Sequence, residues 1–261
     1  MNNQTINELH NRKLDNCLIS IIVIPTKFYY KEREGLVNEK EIYFFFSCNI
    51  YGKRKFITSV LKDKYNKTSD WYDLLLSFKD KGINVILFGL IPNNQCLSKA
   101  LKLAFNEINI FISCFETIDK LSKYYTESYS NGLFNDVKNI YLSKDLNTYY
   151  LSVNDFKEKY CGYTFIYDLF QEDLKRAKKY YEVDYEIRNF VFSFYFCRDI
   201  KKKLNIISNS KNYFSSTDEI VNELIPVIQR FETRIFCPKN TLKNIINKLY
   251  SDKKDLIKSY L

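Results

Sequence analysis

Apolar positions in the first 116 residues fall into short, dense runs separated by polar turns. CLISIIVIP (17–25) is almost unbroken and β-branched, the pattern of a strand buried on both faces. Residues 40–49 and 53–61 form two more strand-like runs joined at Tyr51–Gly52, a hairpin signal. In NKTSDWYDLLLSFKDKGI (66–83), Trp71, Leu74, Leu75 and Phe78 recur at helical spacing behind a capping Thr or Ser, and Gly82 suits the C-terminal cap. VILFGLIPNN (85–94) begins as a buried strand and ends in a turn. NNQCLSKALKLAFNE (93–107) predicts an Asn-capped amphipathic helix, and INIFISCF (108–115) a fifth strand.

The predicted order is therefore β-β-β-α-β-α-β, which makes an α/β protein with a mixed five-stranded sheet and helices on its faces. Beyond Thr117 the pattern turns helical: TIDKLSKYYTESY, VKNIYLS, LNTYYLSVNDFKEKY, FIYDLFQEDLKRAKKYY, EIRNFVFSFYFCRDIKKKLN, STDEIVNELIPVIQRFETRI and TLKNIINKLYSDKKDLIKSYL, with Pro226 expected to kink the sixth. The expected organisation is a polar segment 1–16, a core sheet 17–116, a helical insertion 117–183, and C-terminal helices 184–261 that complete the core.

Composition narrows the chemistry. A 46% hydrophobic and 17% aromatic content suffices for a core in a chain of 261 residues. Seven cysteines at 17, 48, 96, 114, 161, 197 and 237 stand singly, which argues against a disulfide framework or a zinc site. His10 is the one histidine, so Ser-His and Cys-His catalysis and imidazole metal sites are excluded. The net charge of +9 permits binding to nucleic acid or another anionic surface, although the Lys-, Asn- and Tyr-rich coding bias of an AT-rich genome gives the same number. No stretch has the length of a membrane span or the pattern of a signal peptide, and a reduced, cytoplasmic setting fits best.

Several stretches in order resemble Mutator-type transposases, including the bacterial insertion-sequence branch. GLVNEKEIYFFFSCNIYGKRKFITSVL resembles their second and third strands. SDWYDLLLSFKDKGI is similar to the Ser-Ala-x-x-Trp helix, although the Ser-Ala pair is absent. LSKALKLAFNEINIFISCF resembles the helix and strand leading to a Cys-x-x-His motif, and VNDFKEKY a Phe-x-x-Lys-Trp segment of the helical insertion. YEIRNFVFSFYFCRDIKKKLN and KNYFSSTDEIVNELIPVIQRF resemble the two late helices. The resemblance covers about Ser20 to Phe236 and implies a ribonuclease-H-like core. It also implies two Asp and one Glu that hold divalent metal, Mg²⁺ in the family, for DNA strand transfer.

The positions matching those acids are Pro25, Pro92 and Arg198. No acid lies between Asn16 and Tyr30, nor between Asp80 and Glu107. Asp15 precedes the first strand, Glu32 and Glu34 follow it, and Asp199 is one helical step of about 100° from Arg198. The Cys-x-x-His motif becomes Cys114, Phe115, Glu116, Thr117, with the His lost. Asp218, Glu219 and Glu223 read as a helix N-terminal turn and not a site.

The resemblance also implies that the late helix faces DNA, which makes Lys201, Lys202 and Lys203 candidate phosphate contacts. Lys53, Arg54 and Lys55 form a second basic patch, and the tail SDKKDLIKSYL reads as a solvated face. Family members carry a DNA-binding segment before the core, and here about sixteen residues precede the first strand. The expectation is a degenerate transposase-like protein without metal-dependent catalysis and with no cofactor. It would retain non-specific DNA binding, have no membrane partner, and be open to self-association. The alternatives are a protein-binding module on the same scaffold and an active nuclease that uses displaced acids such as Asp199 and Glu32.

Overall fold

The first three strands form an antiparallel meander. β1 (Cys17–Lys31) pairs with β2 (Val37–Asn49), and β2 pairs with β3 (Arg54–Leu61). β4 (Val85–Ile91) runs parallel to β1, and β5 (Asn109–Ile112) completes the order β3-β2-β1-β4-β5, with β1 in the centre. The computed structural model describes residues 2–32, 35–122, 127–162, 164–234 and 239–252; Glu34, Cys237 and residues 253–261 of the basic tail lie outside them.

β1 runs well beyond the segment 17–25 expected from its apolar run. Its second half alternates buried and exposed positions, Thr26 and Phe28 inside, Lys27 and Tyr29 outside. An ordinary one-sided strand therefore continues past Pro25, a residue that reads as a strand end in sequence.

Alternation sorts the aromatics of β2 onto two faces. Tyr43 stacks on Trp71 with centroids 5.5 Å apart, and Phe45 meets both Trp71 and Phe78. These two aromatic residues come from α2 (Thr68–Asp80), which buries Trp71, Leu75 and Phe78 and packs beside α3 (Gln95–Ala104). Asp70 caps α2 by accepting the Lys67 amide at 2.8 Å, so neither Thr68 nor Ser69 is the cap. Gly82 ends the turn that follows at φ 102°, and an added Cβ there would stand 3.1 Å from the Leu14 carbonyl.

The opposite face carries Phe44 and Phe46. Phe46 packs edge-on against Phe56, Phe196 and Phe231. Phe196 belongs to α9 (Phe194–Ser208) and Phe231 to α10 (Thr217–Glu232), which contains Pro226. Residues 2–11, expected only as a polar segment, form helix α1 (Asn2–Asn11) with Ile6 buried. α1 packs against β3 and α10, and α11 (Lys239–Asp252) buries Ile245 and Leu249.

By contact density the chain divides into one unit of Met1–Ile110 with Tyr195–Leu261 and a second unit of Phe111–Phe194. The second unit is helical: α4 (Phe115–Ser122), α5 (Glu127–Tyr141), α6 (Leu146–Tyr160), α7 (Thr164–Ala177), a 3₁₀ turn at Lys178–Glu182, and α8 (Tyr185–Phe192). Four of its tyrosines are structural. Tyr141 and Tyr149 donate to the carbonyls of Asp173 and Leu174 at 3.1 and 2.8 Å, and Tyr180 and Tyr181 donate to those of Ile112 and Ile140. Each ring fills apolar volume while its hydroxyl satisfies a backbone acceptor. Arg188 is 1% exposed, donates to the Ser143 and Lys144 carbonyls, and lies 4.0 Å from the Tyr181 ring.

The stretch 186–205, which has the periodicity of one helix, is two helices. Ser193 interrupts it in the left-handed region at φ 39°, and its hydroxyl donates to the Phe190 carbonyl at 2.6 Å. That side-chain bond takes over a helix-terminal acceptor and ends α8 without the glycine that usually marks such a stop.

Candidate functional site

β4 stops where its sequence stops supplying ladder amides. Pro92 has no N–H, its carbonyl accepts the Asn94 amide at 2.7 Å, and the Asn94 side chain accepts the Leu97 amide at 3.0 Å to cap α3. The β1–β4 register ends with Ile22 opposite Leu90, and β4 itself ends at Ile91, just before Pro92. Among the described residues, β1 has no further strand partner on this side until Phe214. There the Phe214 amide donates to the Tyr29 carbonyl and the Lys31 amide donates to the Phe214 carbonyl, both at 2.8 Å.

Those two bonds show which backbone groups face this edge. Tyr29 and Lys31 point away from β2, and by alternation Pro25 and Lys27 do as well. Proline thus fits inside a central strand: its missing donor falls on the side that β4 has already left, and the β1–β2 ladder loses nothing. The outward carbonyl of Pro25 accepts the ammonium of Lys201 from α9.

Side-chain faces follow from the same register. Pro25 opposes Tyr43, so its ring lies on the Trp71 side, with α2. Thr26 opposes Ile42 and shares the other face with Phe28, whose ring contacts Phe44 and Phe214. Thr26 therefore faces the α9 side, and the ring of Pro25 the α2 side. Thr26 is 3% exposed, and its hydroxyl has no hydrogen-bond partner among the described residues. Nothing in sequence marks this parity, because both faces of CLISIIVIP are apolar; the signal is the pairing with β2.

On α9, Arg198 and Lys201 are one turn apart, on one flank, and both are half-buried. The Arg198 guanidinium lies 5.2 Å from the Tyr195 ring and 3.8 Å from Asp199, whose side chain is 66% exposed. At the edge between β4 and Phe214 the structure thus brings the Lys201 ammonium to the Pro25 carbonyl. An ammonium on that carbonyl does not fit a divalent cation, which takes carboxylate and carbonyl oxygens. Among the described residues no group of three or more His, Cys, Asp or Glu has the arrangement to hold a metal. Glu32 pairs with Lys40 at 2.9 Å, and Asp15 with Lys55 at 3.1 Å. Glu219 accepts the Ser215 amide at 2.8 Å, which with its Lys211 pair holds its carboxyl below the usual range, as an N-terminal cap would.

The basic residues singled out in sequence separate in space. Lys202 and Lys203 are exposed, whereas Lys201 turns inward to Pro25. Strand alternation splits the second patch. Lys53 is exposed, Lys55 pairs with Asp15, and Arg54 is 4% exposed with its guanidinium 4.3 Å from the Phe196 ring. A side chain packed on Phe196 cannot reach a phosphate, so Arg54 belongs to the core and not to a surface. Cys114 is buried beside Tyr141 in the helical unit.

A five-stranded mixed sheet with helices on both faces, and a separate helical unit between its fifth strand and its late helices, defines an α/β protein with a long helical segment. The chain matches the family model described as "Transposase, Mutator family" over residues 2–234, and it belongs to that family. Its function is accordingly related to transposition. No curated protein matches the chain. Among the described residues no helix is long and apolar enough to cross a membrane.

Proposed function

We propose that this chain is a ribonuclease-H-like transposase core that no longer performs metal-dependent strand transfer and acts through its folded scaffold as a DNA-binding protein. The observation that carries the reading is the Lys201 ammonium on the Pro25 carbonyl, at the β1 edge just beyond the end of β4. In this fold two-metal chemistry would gather its carboxylates at that place, and a cation there opposes metal binding by charge. Pro25, Pro92 and Arg198 match the family's three acid positions by sequence, and none of them is an acid. The hydrophobic core around them is intact, so the loss is local to the site. Exposed Lys202, Lys203 and Lys53 supply sequence-independent contacts to phosphates.

The test pairs a plasmid nicking and strand-transfer assay in Mg²⁺ or Mn²⁺ with a duplex DNA mobility shift. The expected result is no metal-dependent cleavage, together with a shift that weakens as salt rises and when Lys202 and Lys203 are changed to Ala. Metal-dependent nicking abolished by Asp199→Ala would overturn the inactive reading. Absence of any shift at about 50 mM salt would overturn DNA binding and favour a protein partner.

A further inference from the structure

We infer that the outer edge of β2 at Val37–Glu39 pairs with the same edge of a second copy of this chain, antiparallel and two-fold about Asn38. The inference goes beyond DNA binding and does not depend on it. It starts from how unevenly the sheet edges are covered. On β3, Glu232 accepts the Phe56 amide, Arg12 donates to the Phe56 carbonyl, and Lys81 donates to the Ile57 carbonyl at 3.1 Å. On the free side of β1, Phe214 donates its amide to the Tyr29 carbonyl and accepts the Lys31 amide. Caps of this kind keep an edge from pairing with another chain.

The first residues of β2 have no such cap. β3 ends at Leu61, opposite Ile42, whereas β2 begins at Val37, opposite Lys31 of β1. Among the described residues, Val37 to Glu41 therefore have no strand beside them on the side away from β1. Directly opposed residues of an antiparallel pair share their backbone direction. Tyr29 and Lys31 point away from β2, so their partners Glu39 and Val37 point away from β1, into that open edge. Each presents an amide and a carbonyl there, and none of these groups is bonded to the backbone of a described residue. Leu36, Val37 and Tyr29 are exposed at the same end of the hairpin, so the open edge is also apolar.

A second copy is the occupant because this edge complements itself in one register. With the two-fold axis at Asn38, Val37 meets Glu39 of the second copy, and Glu39 meets its Val37. Each of these pairs exchanges two hydrogen bonds, so every outward group of Val37 and Glu39 is satisfied on both chains. No like charges stand opposite one another: Leu36 faces Lys40, and the aliphatic stem of Glu39 lies on Val37. Moving the axis by one residue fails in either direction. Centred on Glu39, the pairing sets two carboxylates directly opposite, which is destabilising. Centred on Val37, it matches Glu39 with Gly35, whose φ of 83° is not extended and whose amide already donates to the Glu32 carbonyl at 2.9 Å.

So short a pairing covers less than a standard interface, and the expected dimer is weak, in the micromolar range. Sedimentation velocity of the full chain without DNA, over about a hundredfold range of concentration, measures it. At the axis, Asn38 forms a non-hydrogen-bonded pair with Cα atoms about 4.5 Å apart, within reach of a disulfide. Asn38→Cys is therefore expected to cross-link on oxidation through the two introduced thiols, as located by peptide mass, in a Cys161→Ser background that removes an exposed thiol. Val37→Pro removes a donor that β1 does not use and should weaken the dimer about tenfold. Val37→Glu, opposed to Glu39, should weaken it severalfold and Val37→Lys tighten it, which keeps the test valid if Val37→Pro fails to fold. A chain that stays monomeric at every concentration and gives no cross-link at position 38 overturns the inference and leaves the edge to an extended segment of a different protein. A dimer that all three Val37 variants leave unchanged overturns it too, by placing self-association on another surface. Neither result bears on DNA binding, which the mobility shift tests separately.

Discussion

Glu232 of α10 accepts two hydrogen bonds from the Arg12 guanidinium, at 2.6 and 2.8 Å, and a third from the Phe56 amide at 2.9 Å. Arg12 in turn donates to the Phe56 carbonyl. β3 is an edge strand, and this pair satisfies both polar groups of Phe56, beside the β2–β3 register shift, while joining the segment after α1 to α10. An unpaired edge invites pairing with another chain, and the Arg–Glu clamp closes it at that point.

Glu232→Ala is therefore expected to destabilise the chain by about 2–3 kcal/mol, because it strands a half-buried guanidinium and a buried amide together. Arg12→Ala also removes three bonds, two to Glu232 and one to the Phe56 carbonyl, and should cost about as much. Urea unfolding of both variants and their double mutant measures the coupling; additive losses would show that the clamp does not act as a unit.

Arg54 and Lys53 are neighbours in sequence with opposite fates. Arg54→Ala should lower stability by about 1–3 kcal/mol through lost packing on Phe196, and leave DNA affinity unchanged once folding is controlled for. Lys53→Ala should do the reverse, within about 0.5 kcal/mol of parent stability but with a shallower salt dependence of DNA binding. Thermal unfolding and anisotropy on the same preparations check both.

Ser193 holds a left-handed backbone that glycine adopts freely and β-branched residues resist. Ser193→Val should destabilise by about 1–2 kcal/mol. Ser193→Gly should be close to neutral, relief of strain offsetting the lost hydroxyl bond to Phe190. A Val variant as stable as the parent in thermal melts would mean that the break between α8 and α9 is not held by this residue.

Asp173 is buried in the helical unit, and burial raises its carboxyl above the usual range, against the opposing effects of the Thr117 hydroxyl and Arg176. A carboxyl with a raised folded-state value binds more protons folded than unfolded in the window between the two values. Its contribution is thus favourable at low pH and lost as pH rises from about 4 through the folded-state value. The stability difference between Asp173→Asn and the parent should shift in favour of the variant over that window and stay constant above it. Urea midpoints at a series of pH values measure it; a difference independent of pH would refute the assignment.

The elements were largely legible because their periodicity is local. Trp71, Leu75 and Phe78 announce α2, the Asn94 cap announces α3, and the run 146–160 is α6 from end to end. α1 is not legible in the sequence because its run NNQTINELHN carries only Ile6 and Leu9 as apolar residues, too few for a helical stripe. The single helix expected over 186–205 failed because a serine hydroxyl, not a glycine, ends it at Ser193. β1 was cut short because proline reads as a stop where only its edge-facing side is affected.

Sequence alone settled the absence of acids along 16–30 and 81–106, since no choice of register can supply a residue the chain lacks. Tertiary structure decided which side chains of these stretches share a face. In a strand apolar on both sides, only pairing with β2 tells Thr26 from Pro25, because a slip of one residue exchanges the two faces. In a basic run only packing separates Lys201 from Lys202 and Lys203, because direction around a helix has no meaning until one flank has a neighbour. The carbonyl of Pro25 supplies that neighbour, and it exists only once β1 has outrun β4.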